Sequence, residues 1–206
     1  MANSDSSLID MKYKQNIDER IETAKTLKNE GNEFYKEKKY RQATGKYHRA
    51  LLQLKLNMDN VCRPLTDCLQ QSPDSFPSYN VPVDYRQTIS AIQADCYNNL
   101  AACLLHKEDT NYDRIIEYCD LVLAIYPENL KAAFRKCMAL YHMKKYEEAL
   151  EDLQSLSHKH PEDLAIKRYI KLCEAEVRKH NRSIKKTYQE MFNEMNKHSK
   201  EVNAVH

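Results

Sequence analysis

Two residue pairs in this 206-residue chain have the types and spacing to hold an anion. Lys28 and Asn32 stand four apart, as do Lys131 and Arg135, so on helices each pair shares one face. Asn99 lies between them in the chain. Together they offer two ammonium groups, one guanidinium and two amides. Lysine brings three donors, arginine a planar fork and asparagine an NH₂ group. That inventory suits a carboxylate, and better still two carboxylates one residue apart, such as a free peptide C-terminus with aspartate as its last residue. Charge-assisted hydrogen bonds contribute about 1.5–3 kcal/mol each. Less the cost of ordering a short peptide, several of them leave an affinity near micromolar, about −8 kcal/mol.

Composition narrows the alternatives. Only two glycines occur, Gly31 and Gly45, where average usage gives about 14. Phosphate-cradling loops need several glycines at fixed offsets, because backbone must approach phosphate closely. Nucleotide chemistry of that kind is excluded. Charged residues make up 30% and apolar residues 42%, which fits a globular chain with a large solvated surface. The net charge of +2 is unevenly spread. From Leu164 onward ten Lys/Arg face five Asp/Glu, leaving 22 against 25 in the first 163 residues. The tail is basic and the body slightly acidic. Seven cysteines, none spaced C-x-x-C, read as buried reduced thiols. The first residues lack a basic region followed by an apolar run, and no stretch nears 18 apolar residues. A cytoplasmic protein without a membrane span is expected.

The elements that must bring Lys28, Asn99 and Arg135 together are legible as a repeat. With Ala24 as position 1 of a 34-residue window, Gly31 falls at 8, Phe34 at 11, Tyr40 at 17, Ala43 at 20, Tyr47 at 24 and Ala50 at 27. A second window opens at Ala94, with Tyr97 at 4, Ala101 at 8 and Leu104 at 11. Allowing two extra residues near Asp109 and Thr110, Tyr112 is at 17, Cys119 at 24 and Pro127 at 32. A third opens at Leu130, with Cys137 at 8, Leu140 at 11, Tyr146 at 17, Ala149 at 20, Leu153 at 24 and Pro161 at 32. This is the tetratricopeptide (TPR) pattern. Each repeat is two antiparallel helices. Small residues at 8, 20 and 27 let them approach, and large ones at 4, 11, 17 and 24 fill the gaps. Ile115 and Leu156 depart from the pattern at small positions and imply local repacking.

The expected architecture is an all-α TPR solenoid of three helix-turn-helix repeats (about 24–57, 94–129 and 130–163) within 16–163. Residues 1–15 read as a flexible polar end. An insertion over 57–86 holds four of the six prolines and cannot be one helix. A long C-terminal capping helix and basic tail take 164–206. Its first apolar stripe (Leu164, Ile166, Tyr169, Ile170, Leu172, Cys173, Val177) is expected to cover the last repeat. Its second (Tyr188, Met191, Phe192, Met195) runs past what capping needs.

Here the sequence resembles a known family. The positions Lys28-x-x-x-Asn32, Asn99 within Tyr97-Asn98-Asn99-Leu100-Ala101-Ala102-Cys103, and Lys131-x-x-x-Arg135 are similar to the dicarboxylate clamp of co-chaperone TPR domains. Those domains grip the C-terminal Glu-Glu-Val-Asp tail of heat-shock chaperones of the seventy- and ninety-kilodalton classes. The resemblance implies the same peptide partner, with Lys28, Asn32, Asn99, Lys131 and Arg135 as carboxylate ligands. Lys185-Lys186-Thr187-Tyr188-Gln189-Glu190-Met191-Phe192 resembles the end of the final helix in large TPR immunophilins. This chain lacks their prolyl isomerase domain. The blocks Tyr47-His48-Arg49-Ala50-Leu51-Leu52-Gln53-Leu54 and Asp95–Leu105 resemble the tetratricopeptide repeat protein 9 family, over roughly residues 20 to 195.

Other chemistries find little support. His158 and His160 sit at i, i+2 and point to different faces, so no metal is expected. Tyr40, Tyr47, Tyr97, Tyr112 and Tyr146 fall on packing positions rather than on a base-stacking surface. Glu147-Glu148 and Glu151-Asp152 lie on an outer helix face. No enzyme, cofactor or small-molecule substrate is expected, and a monomer is. The basic run Arg178 to Lys186 leaves other readings open: a calmodulin-type basic amphipathic target, contact with nucleic acid or anionic lipid, or a nuclear import patch.

Overall fold

The computed structural model describes residues 2–54, 83–107 and 110–203. Those residues form seven α-helices: α1 (Ala2–Lys36), α2 (Tyr40–Leu54), α3 (Val83–Leu104), α4 (Tyr112–Ile125), α5 (Leu130–His142), α6 (Tyr146–Lys159) and α7 (Leu164–Asn203). No strand occurs among them. The chain has the all-α TPR architecture and forms two compact units, Met1–Lys136 and Cys137–His206, divided within α5.

In the first unit, α1 and α2 pair through the residues the repeat pattern singles out. α2 buries Ala43, Tyr47, Ala50, Leu51 and Leu54, the i, i+4, i+7, i+8, i+11 stripe of an amphipathic helix. Gly31 receives the ring of Tyr47: a Cβ there would lie 2.6 Å from Tyr47 Cε1. Between the helices Lys38 takes φ 60°, and the N–H groups of Lys38 and Lys39 donate to the carbonyls of Tyr35 and Phe34. This is a left-handed C-terminal cap without glycine. α4 starts at Asn111, whose side chain accepts from the Arg114 N–H at 3.0 Å. α4 buries Ile115, Tyr118, Cys119 and Val122, so Ile115 does occupy core space.

Two helices exceed their windows. α1 begins at Ala2, so residues 2–15 of the end expected to be flexible have helical backbone. No glycine or proline precedes Gly31 to stop it, and Ile17 and Ile21 are buried. α3 begins at Val83, inside the expected 57–86 insertion and directly after Pro82 in the sequence, a residue type that disfavours helix at the position before it. Its extra turns bury Ile89 and Ile92. The Tyr85 hydroxyl donates to Asp18 Oδ2 at 3.3 Å, tying the two extensions together. The rest of the expected insertion lies outside the described residues.

In the second unit Lys144 repeats the cap of Lys38, with φ 63°. α6 buries Ala149 and Leu153 against the unit's interior. Asp163 caps α7, its Oδ1 accepting from the N–H groups of Ala165 and Ile166 at 2.8 and 3.2 Å. Tyr141 meets Tyr146 and Tyr169 edge-on, centroids 5.4 and 5.6 Å apart. Ile166 and Cys173 of α7 are fully buried, which gives its first half the capping role expected of it. Cys96, Cys103, Cys119, Cys137 and Cys173 are buried free thiols.

Candidate peptide-binding groove

Helix α3 is the hub of the five sequence-selected residues. Asp95, Asn98 and Asn99 stand at i, i+3 and i+4, on one face. Each reaches a different neighbour. Asn99 Nδ2 donates to Asn32 Oδ1 at 3.0 Å. Asp95 Oδ2 accepts from Lys28 Nζ at 2.7 Å. Asn98 Oδ1 accepts from the Arg135 guanidinium. Lys28 and Asn32 are thus joined to α3 from α1, and Arg135 from α5. Lys131 lies one turn before Arg135 on α5, exposed, and bonds to none of the other four.

The amide orientations follow from their partners. Asn32 Oδ1 also accepts from the Tyr47 hydroxyl at 2.8 Å. Both its lone-pair directions are used, so Nδ2 is its outward end and a donor. Tyr47 is fully buried, and burial pushes its hydroxyl well above the usual phenol range. It stays a neutral donor, locked by Gly31 below and Asn32 above. A packing residue of the repeat thereby also orients a polar one.

Arg135 carries the chief electrostatic anomaly. It is half-buried, and desolvation pushes its guanidinium below the ordinary range, opposed by weaker contributions from Cys119, Tyr35 and Cys103. No carboxylate pairs with it among the described residues. Its hydrogen-bond partner, Asn98, is a buried neutral amide. Asn98 Nδ2 in turn reaches Asn129 Oδ1 at 3.4 Å, and the same oxygen caps α5 through the Ala132 N–H at 3.0 Å. The arginine is therefore held in place by a chain of amides that cannot neutralise it. Lys28 differs: its ion pair with Asp95 leaves 20% of its side chain exposed, against 59% for Asp95.

Beside Lys28 an open cavity of about 510 Å³ runs along the extended ends of α1 and α3, bordered by Lys25, Asn29, Thr88, Asp95 and Tyr126. Sequence reasoning missed Asp95, Asn98 and the polar role of Tyr47. Asn98 had a signal, as the first of two adjacent asparagines. Asp95 had none, since an exposed acid on a helix is usually solvated. No set of His, Cys, Asp or Glu able to hold a metal occurs among the described residues. None of their helices is long and apolar enough to cross a membrane.

Helix hairpins of this size and register define a tetratricopeptide-repeat protein-interaction domain. No family model matches the chain. Over 177 residues, 85% of this chain and 96% of the relative, it is 36% identical to tetratricopeptide repeat protein 9C of Xenopus tropicalis. The chain belongs to the tetratricopeptide repeat protein 9 family. Among solved structures it is similar to the C-terminal TPR-containing domain of a Plasmodium falciparum FK506-binding protein. That match has a TM-score of 0.63 and 25% identity, over 81% of this chain and 95% of that one. It is also similar to the Hsp90 co-chaperone Cns1 of Saccharomyces cerevisiae, with a TM-score of 0.61 and 25% identity over 86% and 46% of the respective chains.

Proposed function

We propose that this protein is a co-chaperone-like adaptor whose groove takes the free C-terminus of an acidic peptide, ending in Glu-Glu-Val-Asp as in heat-shock chaperones. The observation that carries the reading is Arg135, a desolvated guanidinium with only neutral amides to hold it. A cation so placed gains more from an incoming carboxylate than a surface cation would, because water screens it less. Asn32 and Asn99 add amide donors for a second carboxylate, and Lys28 and Lys131 add positive charge. The likeness to an Hsp90 co-chaperone supports a chaperone as the source of the peptide.

Calorimetry on the pentapeptide Met-Glu-Glu-Val-Asp, as free acid and as C-terminal amide, tests the reading. The acid binds with a Kd on the order of micromolar, and the amide at least about tenfold more weakly, having lost one charged acceptor. Equal affinities, or no heat from either peptide, would remove the carboxylate reading and leave a TPR adaptor for some other segment.

A further inference from the structure

The distal half of α7 has a chemistry that the groove does not use. From Val177 to Met195, one set of positions recurs at alternating steps of four and three: Val177, Asn181, Ile184, Tyr188, Met191 and Met195. On a helix these form one narrow stripe. It continues the face that begins at Ile166 and Cys173, which are fully buried. Past Val177 the same face is open. Ile184 is 40% exposed, Tyr188 68%, Met191 54%, and Met195 69%, with Phe192 beside them at 63%. Single exposed apolar side chains need no explanation, but a contiguous row of five marks a surface that something covers.

The flanks say what kind of cover fits. Between Val177 and Gln189 stand five Lys/Arg and no Asp/Glu. Lys171, Arg178 and Lys185, seven residues apart, form a basic column along one border of the stripe. The other border carries His180 and Thr187, with Glu194 one heptad further on. The carboxylates that pair with this region do so loosely, Glu174 with Arg178 at 3.6 Å, Glu176 with Lys179 at 3.8 Å and Glu190 with Lys186 at 3.7 Å. A second copy of α7 laid against the first would set Arg178 and Lys185 against His180 and Thr187 in a parallel pair, and against another basic column in an antiparallel one. Like charge against like charge disfavours that pairing. The opposite side of the helix is polar, with Arg182, Lys186, Gln189 and Asn193. A stripe this narrow is covered by one helix lying alongside, whereas an enclosing groove needs apolar residues around more of the circumference.

We propose that the distal half of α7 docks an acidic amphipathic helix of another protein, whose apolar stripe meets Ile184, Tyr188, Met191 and Met195 and whose flanking Glu or Asp faces Arg178 and Lys185. The proposal does not rest on the peptide that the groove takes.

The test uses the full chain and two synthetic 28-residue helices with leucine at both stripe positions. One carries glutamate at the flanking positions, the other lysine. Titration at about 0.15 M salt should show the glutamate helix binding at micromolar Kd and the lysine helix at least about thirtyfold more weakly. The double variant Tyr188→Glu, Met191→Glu should weaken the glutamate helix at least about tenfold at an unchanged melting temperature. Equal binding of both helices, or binding that ignores the double substitution, overturns the proposal. A dimer in sedimentation that the double variant abolishes would give the face to a second copy instead. Failure of the glutamate helix, with variant-sensitive binding to phosphatidylserine-containing vesicles, would give it to a lipid surface.

Discussion

Lys28 Nζ lies 2.7 Å from Asp95 Oδ2, so the first cation of the groove already holds a carboxylate belonging to the protein itself. Asp95 is largely exposed, and exposed pairs of this kind are worth about 1 kcal/mol or less. An incoming peptide carboxylate therefore displaces or shares Asp95 at small cost. Asp95→Asn keeps the side-chain shape and removes the competing charge. It should tighten the free-acid peptide by up to about fivefold, since 1.4 kcal/mol corresponds to tenfold. Fluorescence anisotropy of a labelled peptide reads this directly. A weaker complex would mean that Asp95 positions Lys28 for the ligand rather than competing with it.

The desolvation of Arg135 implies a trade between binding and stability. Its charge is half-buried without a carboxylate, and such a charge costs the fold more than an apolar group of similar volume. Arg135→Met should leave the melting temperature unchanged or raised. The same substitution should weaken the acidic peptide by about 10- to 100-fold, the equivalent of one charge-assisted hydrogen bond. Thermal melts and titrations on one preparation check both halves. A large fall in melting temperature would make Arg135 a structural residue.

The parts of this protein that were legible in its sequence are those where packing dictates residue size. Gly31 and Tyr47 are sixteen apart in the repeat register because the ring needs the space a Cβ would take. The same register placed Asn32 and Asn99 on facing helices, where they do bond. Asp95 was not legible, and Asn98 only as the neighbour of Asn99, because which polar residues of a helix are reached from across a groove depends on side-chain lengths rather than on periodicity. Nor were the extensions of α1 and α3. Residues 1–15 are too polar to show an apolar face, and the prolines up to Pro82 drew attention away from the helix that starts right after them.

Buried thiols make the fold sensitive to alkali. Burial pushes Cys96 and Cys119 up to about 12, and raises Cys103 and Cys173 as well. The unfolded chain releases these protons near the ordinary thiol range of about 8.5–9, the folded chain only well above it. Because the folded state holds more protons in that window, stability falls as pH rises through it. The melting temperature should be level from pH 7 to about 8.5 and then decline toward pH 11. The Cys96→Ala, Cys119→Ala double variant should show a shallower decline. Iodoacetamide at pH 8 should label both thiols only at the rate at which the protein opens.

The two glycines should respond in opposite directions to the same substitution. Gly45 sits exposed inside α2, and a Cβ there meets nothing within 4 Å. Gly45→Ala lowers the entropy of the unfolded chain and should stabilise by about 0.5–1 kcal/mol, raising the melting temperature by roughly 2–4 °C. At Gly31 the same helix-propensity gain is available, but the new methyl would lie 2.6 Å from Tyr47 Cε1 and 2.9 Å from Cδ1. That ring cannot swing aside freely, being fully buried and hydrogen-bonded through its hydroxyl to Asn32. Overpacking of this kind costs about 1–3 kcal/mol, so Gly31→Ala should come out destabilising. Any shift of Tyr47 also removes one of the two donors to Asn32 Oδ1, leaving Asn99 alone to hold the amide in its donor orientation. Gly31→Ala should therefore weaken the acidic peptide several-fold as well, whereas Gly45→Ala should leave binding untouched. Melting curves and peptide titrations on both variants separate the effects. A Gly31→Ala protein that melts higher and binds normally would show that Tyr47 has room to yield and does not orient Asn32.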